Sequence, residues 1–399
     1  MWRRKVACLA LPLLLPAIGC ERDLRPTTEY VTPAGSIAPE LNGGADGRVY
    51  LSWIQQQQTG HRLRYVILDE RGWSGPHTVI EGSDWHVSQM DWPGVTAIGE
   101  AFIAHWQERR GTSGYASEIQ IARSPDRGAT WTPKTRLHDD ATLTEHGFVS
   151  LLPLDGRLHV FWLDGRNTAQ DAAHAHAGAT QLRHAEFDAQ GQRTSETVVD
   201  ERVCDCCHMA AARLPDGFVI VYRDRTDGEI RDVVTRRYVN GRWSESVPVH
   251  DDGWKLEGCP VNGPSVAAAG TRVAVAWFTG AGDDPRVLAA VSTNGGESFG
   301  APVRIDQDRA LGRVDVAVLP DGDAVVSWAE LENETTVFKL RRVSLAGGGI
   351  ARNVHKLPAE AASGFPRMVA YGMGIVAAWT EGEAAGGRVR AMSIAAHDL

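Results

Sequence analysis

Gly47-Arg48-Val49-Tyr50-Leu51-Ser52-Trp53 is the stretch that decides how this chain reads. Val49, Leu51 and Trp53 alternate with Tyr50 and Ser52, the period of two that a half-buried strand requires. Comparable runs end at Trp106, Trp162, Tyr222, Trp277, Trp328 and Trp379, so the phrase returns at spacings of 53, 56, 60, 55, 51 and 51 residues. No stretch holds a sustained helical period. Each run is flanked by further strand-like pieces: Ser265 to Ala268 precede Trp277, and Arg286 to Val291 follow it before a Gly-containing turn and a short fourth piece. That second turn often carries an aromatic ring, as at Trp73, Trp131, Trp243 and Phe299. Four antiparallel strands per repeat make a propeller blade, which buries its faces only against neighbouring blades. The expectation is an all-β propeller of four-stranded antiparallel blades, seven by repeat count. The last repeat stops after its third strand at Ser393-Ile394, and the segment around Glu29 to Thr32 is expected to supply the missing outer strand.

Composition narrows the function classes. Lys plus Arg number 41 against 50 Asp plus Glu, a formal charge of −9, without the concentrated basic surface that nucleic-acid binding needs. Hydrophobic content of 43% with 23% charged residues excludes a multi-span membrane protein.

The N-terminus reads as an export signal. Arg3, Arg4 and Lys5 precede an apolar run from Val6 to Ile18 that is too short to be a stable span. Ala17-Ile18-Gly19-Cys20 resembles the lipobox of bacterial lipoproteins, with Ala17 in the usual Leu position. The resemblance implies removal of residues 1–19 and lipidation of Cys20. Glu21 is not the Asp that retains such proteins in the inner membrane, so the implied destination is the outer membrane, facing either the periplasm or the surface. Residues 20–35 read as lipidated cysteine and tether, and residues 36–399 as one propeller domain.

Ser124-Pro125-Asp126-Arg127-Gly128-Ala129-Thr130-Trp131 resembles the Asp-box of the sialidase-like (BNR-repeat) propellers. Ser292-Thr293-Asn294-Gly295-Gly296-Glu297-Ser298-Phe299 is a second copy with Asn in the Asp place, and degenerate versions lie at Asp69 to Trp73 and Asn240 to Trp243. Physically, the Asp or Asn side chain caps amides of a tight turn while Gly takes a conformation closed to other residues. The resemblance spans about residues 36–395. Sialidases of this kind are six-bladed, which keeps six blades as the alternative count. It implies a catalytic set of three arginines, a Tyr nucleophile assisted by Glu, and an Asp acid. This chain departs from that set: Gly35-Ser36-Ile37-Ala38-Pro39-Glu40 stands where an Arg-Ile-Pro phrase belongs, and Tyr371 is the one tyrosine in the final third.

With blade strands lettered A to D from the axis outwards, the A–B and C–D turns share one rim and the D–A and B–C connections share the other. The Asp-boxes are C–D turns. The polar phrases fall on the opposite rim, called the mouth below. Cys204, Cys206, Cys207, His208 and Cys259 are expected to converge there, either as disulfides or as a soft-metal site for copper or zinc, aided by His174 and His176. Asp164, Arg166, Arg223, Asp224, Arg225, Arg231, Trp254, Asn262 and Arg313 are the candidate ligand-binding residues, because guanidinium groups recognise carboxylates and phosphates by paired hydrogen bonds. The plainer account of the arginines is pairing with Asp164, Asp224, Glu229 and Asp232 nearby. Weak catalytic candidates are Arg223, Glu229, Tyr371 and Asp84, with Asp91 and Asp164 as further carboxylates.

Three functions follow as expectations. The first is a lipid-anchored propeller that binds a small molecule, glycan or metal at its mouth. The second is an exo-sialidase or related hydrolase of acidic sugars. The third is a disulfide-stapled scaffold.

Overall fold

A computed structural model describes residues 26–44, 46–111, 114–168, 178–345, 347–357, 364–382 and 386–399. The leader, Cys20, and the His174 and His176 pair lie outside the described residues. The rest forms seven antiparallel sheets of four strands, in two of which the outer position is split into two short strands. The seven-blade count is the correct one. No helix among the described residues is long and apolar enough to cross a membrane.

The innermost strands are Ser36–Gly43, Gly94–Ile98, His146–Leu154, Ala210–Leu214, Ser265–Ala269, Arg309–Val318 and Arg367–Tyr371, which number blades 1 to 7. Blade 7 takes its outer strand from the other end of the chain: Pro26–Val31 pairs antiparallel with Arg388–Ile394, with Glu29 opposite Met392 and Tyr30 opposite Ala391. Part of the segment read as tether therefore belongs to the wheel. This pairing leaves no blade with an unmatched strand, so a row of exposed amides and carbonyls is avoided.

The core is divided as the topology demands. Seven apolar clusters each span two adjacent blades, from blades 1 and 2 round to blades 7 and 1. The repeated ring sits at the centre of this scheme. Trp53, Trp106, Trp162, Trp277, Trp328 and Trp379 are all 2% exposed or less, and Tyr222 takes the same place in blade 4 at 1%. A buried indole N–H usually finds an acceptor, and in blades 2, 3 and 6 the sequence supplies one two residues on, where strand alternation returns to the same face. The N–H groups of Trp53 and Trp379, by contrast, have no partner among the described residues. Trp106 donates to Glu108 at 3.1 Å, Trp162 to Asp164 at 2.9 Å and Trp328 to Glu330 at 2.8 Å. Trp277 donates instead to Asp252, at 2.7 Å.

The two box turns lie between third and outer strands, on the rim away from the mouth. Asp126 accepts from the Thr130 hydroxyl at 2.6 Å, from the Thr130 amide at 2.8 Å and from Ser124 Oγ at 2.8 Å, and these bonds hold its carboxyl down to about 2. Gly128 has φ 90°, and a Cβ there would strike the Tyr65 hydroxyl of blade 1. Asn294 repeats the arrangement, accepting from the Ser298 amide at 3.2 Å.

Replacing Trp277 with Ala should cost about 3–5 kcal/mol, because it empties the seam between blades 4 and 5 and removes the donor to Asp252 Oδ2. Denaturant unfolding measures this, and a loss under 1 kcal/mol would refute the assigned role.

Candidate functional site

The first residues of the inner strands are bent out of strand geometry. Bulges interrupt the pairing of Ile37–Glu40, Gly147–Ser150 and Gly312–Asp315 with their second strands. Within these bulges Ala38, Phe148 and Arg313 adopt φ of 56°, 54° and 56°. Val261, a β-branched residue on the loop entering blade 5, has φ 48°. Left-handed backbone at non-glycine residues is costly and persists where the surrounding structure over-determines it, often at functional sites. Here it encircles the mouth.

The axial channel, a cavity of about 360 Å³, is lined by small and apolar strand residues and capped at the mouth end by Glu40, His208, Asp315 and Arg367. Arg367 holds this cap together. Its Nε lies 2.8 Å from Glu40, its Nη1 3.6 Å from Asp315, and its guanidinium stands 4.5 Å from the centre of the Trp92 ring. Asp315 also accepts from Ser265 Oγ at 2.6 Å and from the Met368 amide at 2.8 Å, which joins blades 5, 6 and 7. Trp92 meets His208 edge-on at 4.7 Å and Phe365 at 5.5 Å. His208, buried beside Arg367, is kept neutral, its pKa well below the ordinary histidine value. Burial pushes Glu40 up to about 7 against the pull of Arg367. Burial likewise pushes Asp91 up to about 6, although it accepts from the Phe148 amide at 2.6 Å and from Gln107.

Most of the expected ligand-binding set is committed within the protein. Asp164, fully buried, accepts from Trp162 and from Arg166 Nε at 2.8 Å. Arg223 is 1% exposed and donates to the carbonyls of Asn262 at 2.9 Å, Arg231 at 2.6 Å and Phe278 at 2.7 Å, with its guanidinium 4.9 Å from the Trp254 ring. Desolvation brings it down to about 10. It is a clasp between blades 4 and 5. Asn262 continues this clasp to blade 6, accepting from the Arg313 amide at 2.8 Å. Arg225 pairs with Asp205 at 3.1 Å and Glu229 at 2.9 Å, and Arg231 pairs with Glu229 at 2.9 Å. Asp224 caps the Arg225 amide at 2.8 Å. Glu229 is thus an ion-pair member, and Asp84 is exposed. Tyr371 ends the inner strand of blade 7 on the opposite rim, beside Asp69 and Glu70, so it does not share the mouth with the arginines.

Arg313 is different. Its guanidinium lies 5.8 Å from the centre of the Phe365 ring, Nη1 is buried with no hydrogen-bond partner, and desolvation alone lowers it to about 10. No carboxylate among the described residues pairs with it. On the opposite side of the wheel, Glu145 enters blade 3 with a carboxyl that has no hydrogen-bond partner among the described residues. Burial, then Asp91 and Asp205, push it up to about 7.

The cysteines converge as expected, but without His208. Cys204 pairs with Cys207 and Cys206 with Cys259, at Cα separations of 5.6 and 6.2 Å. The second pair links blade 4 to the loop entering blade 5. His208 turns away onto Trp92. Around the channel cap, Glu40 and Trp92 were missed in the sequence, where Asp91 stood as a further carboxylate. Its legible signal was an acidic residue inside a strand that is otherwise small and apolar, as at Glu40 and Asp315.

No family model matches the chain, and no curated protein matches it. Among solved structures it is similar to the α-L-arabinofuranosidase Arb93A from Fusarium graminearum at 14% identity and TM-score 0.49, covering 82% of this chain and 99% of that one. It is similar to the α-L-arabinanase of Penicillium chrysogenum at 12% identity and TM-score 0.47, covering 93% and 99%. A third is Trypanosoma rangeli sialidase at 11% identity and TM-score 0.49, covering 89% of this chain and 60% of that one. Likeness at this level does not carry chemistry from one chain to another.

Glu40 gives a test of the cap. Its pKa rises on folding from 4.5 to about 7, so the native state holds a proton that the unfolded chain has lost. Its contribution is complete below pH 4.5 and lost as pH rises through 7. Glu40→Gln should remove from the stability-versus-pH curve a decline of up to about 3 kcal/mol. An unchanged curve in urea titrations between pH 5 and 8 would contradict the assignment.

Proposed function

We propose that this chain is an exported, lipid-anchored propeller that binds a small carboxylate-bearing ligand of the acidic-sugar class at its mouth, without the full sialidase catalytic set. The observation that carries the reading is Arg313. A desolvated guanidinium with no carboxylate partner is unfavourable unless something anionic completes it. Phe365, 5.8 Å from the guanidinium, gives the site an apolar wall that strengthens the pull on an anion. Glu145 opposite offers an acceptor for hydroxyl groups. Arg223, the arginine best placed by sequence for this task, is excluded because its donors are already satisfied.

A hydrolase of acidic sugars is the second reading, favoured by Asp91 and Glu145, two carboxyl groups close enough to interact. Retaining hydrolysis uses two carboxyl groups about 5 Å apart, one as nucleophile and the other as acid and then base. Hydrolysis of a fluorogenic sialoside or arabinofuranoside that is lost on Glu145→Gln would establish it.

Calorimetry with N-acetylneuraminate and glucuronate tests the binding reading. Arg313→Ala should weaken binding about 10- to 150-fold and leave the melting temperature near that of the parent. Equal affinity in the variant, or no binding of either sugar by the parent, would overturn it.

Lipidation of Cys20 and the state of the sulfurs are read together by intact mass of the membrane-extracted protein. The expected product begins at Cys20 with a diacylglyceryl adduct and contains two disulfides. Four free thiols with a bound metal would replace the disulfide arrangement by a thiolate site. Cys259→Ser should then cost about 4 kcal/mol if the pair spanning 53 residues is intact.

A further inference from the structure

We propose that His138, Asp140 and His146 form a site for one divalent transition-metal ion of the zinc class, on the mouth rim between blades 2 and 3. The three side chains present ligand atoms that all lie within 4.8 Å of one another. They come from the crossover that leaves the outer strand of blade 2 at Thr135–Arg136 and enters blade 3 at His146.

The strongest observation is His138. It is 2% exposed, and neither Nδ1 nor Nε2 has a hydrogen-bond partner. A neutral imidazole has one donor and one acceptor, and burying both without partners is expensive. Its ring stacks on His146 at 4.0 Å with planes 7° apart. His146, fully buried, is oriented as metal-bound histidines usually are. Nδ1 faces the carbonyls of Ser117 at 3.1 Å and Thr144 at 3.2 Å, which fixes the proton on that nitrogen. Nε2 faces Asp140 Oδ2 at 2.9 Å and Asp164 Oδ1 at 3.5 Å, contacts between acceptors that require either a proton on that nitrogen or a cation bound to it. Asp140 is itself held by the hydroxyl and amide of Thr142. Asp164 is already shared between Trp162 and Arg166, so it serves as the outer carboxylate rather than as a first ligand.

Two imidazoles and one carboxylate are an ordinary set for zinc, with bonds near 2.0–2.2 Å and a fourth position left for water. Tetrahedral ligands stand about 3.3 Å apart at such bond lengths. The stacked rings therefore need to fan apart and the ligand atoms to close by up to about 1.5 Å. An ion here neutralises Asp140, gives buried His138 a partner and ties the crossover to the inner strand. Residues 145 and 146 project to opposite sides of that strand, so the same tie fixes the main chain that carries Glu145 into the mouth. This inference does not rest on the proposed acidic-sugar ligand.

The test uses the mature protein with intact disulfides and no histidine tag, stripped with EDTA. Zinc titration by calorimetry and cobalt(II) titration by visible absorption should each give one ion per chain, and cobalt should show intense four-coordinate bands. His138→Ala and Asp140→Asn should each weaken zinc binding at least about tenfold. His174→Gln combined with His176→Gln should leave it unchanged. Stripped parent protein that shows neither heat with zinc nor cobalt bands overturns the proposal, whatever the variants do. So does binding that follows the His174 and His176 substitutions, or one that survives His138→Ala with an unaltered melting curve. Either result would leave His146 as an imidazolium between two carboxylates.

Discussion

Everything in this molecule depends on one requirement: a twisted four-stranded sheet has two apolar faces and can hide them only against copies of itself. Seven such sheets meet it by closing a circle, and a single ring side chain per blade fills each seam. The choice of tryptophan adds a polar consequence. Its N–H favours an acceptor inside the seam, and a carboxylate two residues along the same strand provides one in blades 2, 3 and 6. Those carboxylates lie at the mouth end of their strands and recruit cations in turn, Asp164 taking Arg166, Glu108 taking Lys134 and Glu330 taking Lys339. Much of the mouth's charge is therefore a by-product of packing.

This explains why the fold was legible in the sequence and the site only in part. The period-two runs and their return every 51 to 60 residues report directly on burial, which is local in origin. The seven blades, the box turns and the closure by the first strand all followed from that pattern. The identity of the free cation did not. Arg223, Arg225, Arg231 and Arg313 look alike in a sequence. Only coordinates reveal that Arg223 is satisfied by carbonyls and that Arg225 and Arg231 pair with carboxylates, although Arg231 too keeps a buried Nη1 without a partner, whereas Arg313 pairs with no carboxylate among the described residues. Asn262, for example, binds across 39 residues to Arg223 and across 51 to Arg313. Tyr371 shows the reverse failure, in which a residue type suggested chemistry and the direction of its strand placed it on the wrong rim.

The mouth is built from two kinds of construction. Blades 4 and 5 are locked by Arg223, by the cysteine pairs and by the ion network through Glu229, so little there can move to receive a ligand. Blades 3 and 6 contribute Glu145 and Arg313, ionisable groups without ion-pair partners among the described residues. A rigid frame that holds a few unsatisfied groups is the arrangement expected of a preorganised site.

The joining of Pro26–Val31 to Arg388–Ile394 also fixes an order of events. Thr27 and Ser393 share a hydrogen bond of 2.7 Å across 366 positions. The first strand to be synthesised thus waits, unpaired, until nearly the last residue has been made. Such long-range closure makes the final step of assembly slow. The waiting segment, Pro-Thr-Thr-Glu-Tyr-Val, is correspondingly polar at its start, which keeps it from adhering to unfinished chains during that interval.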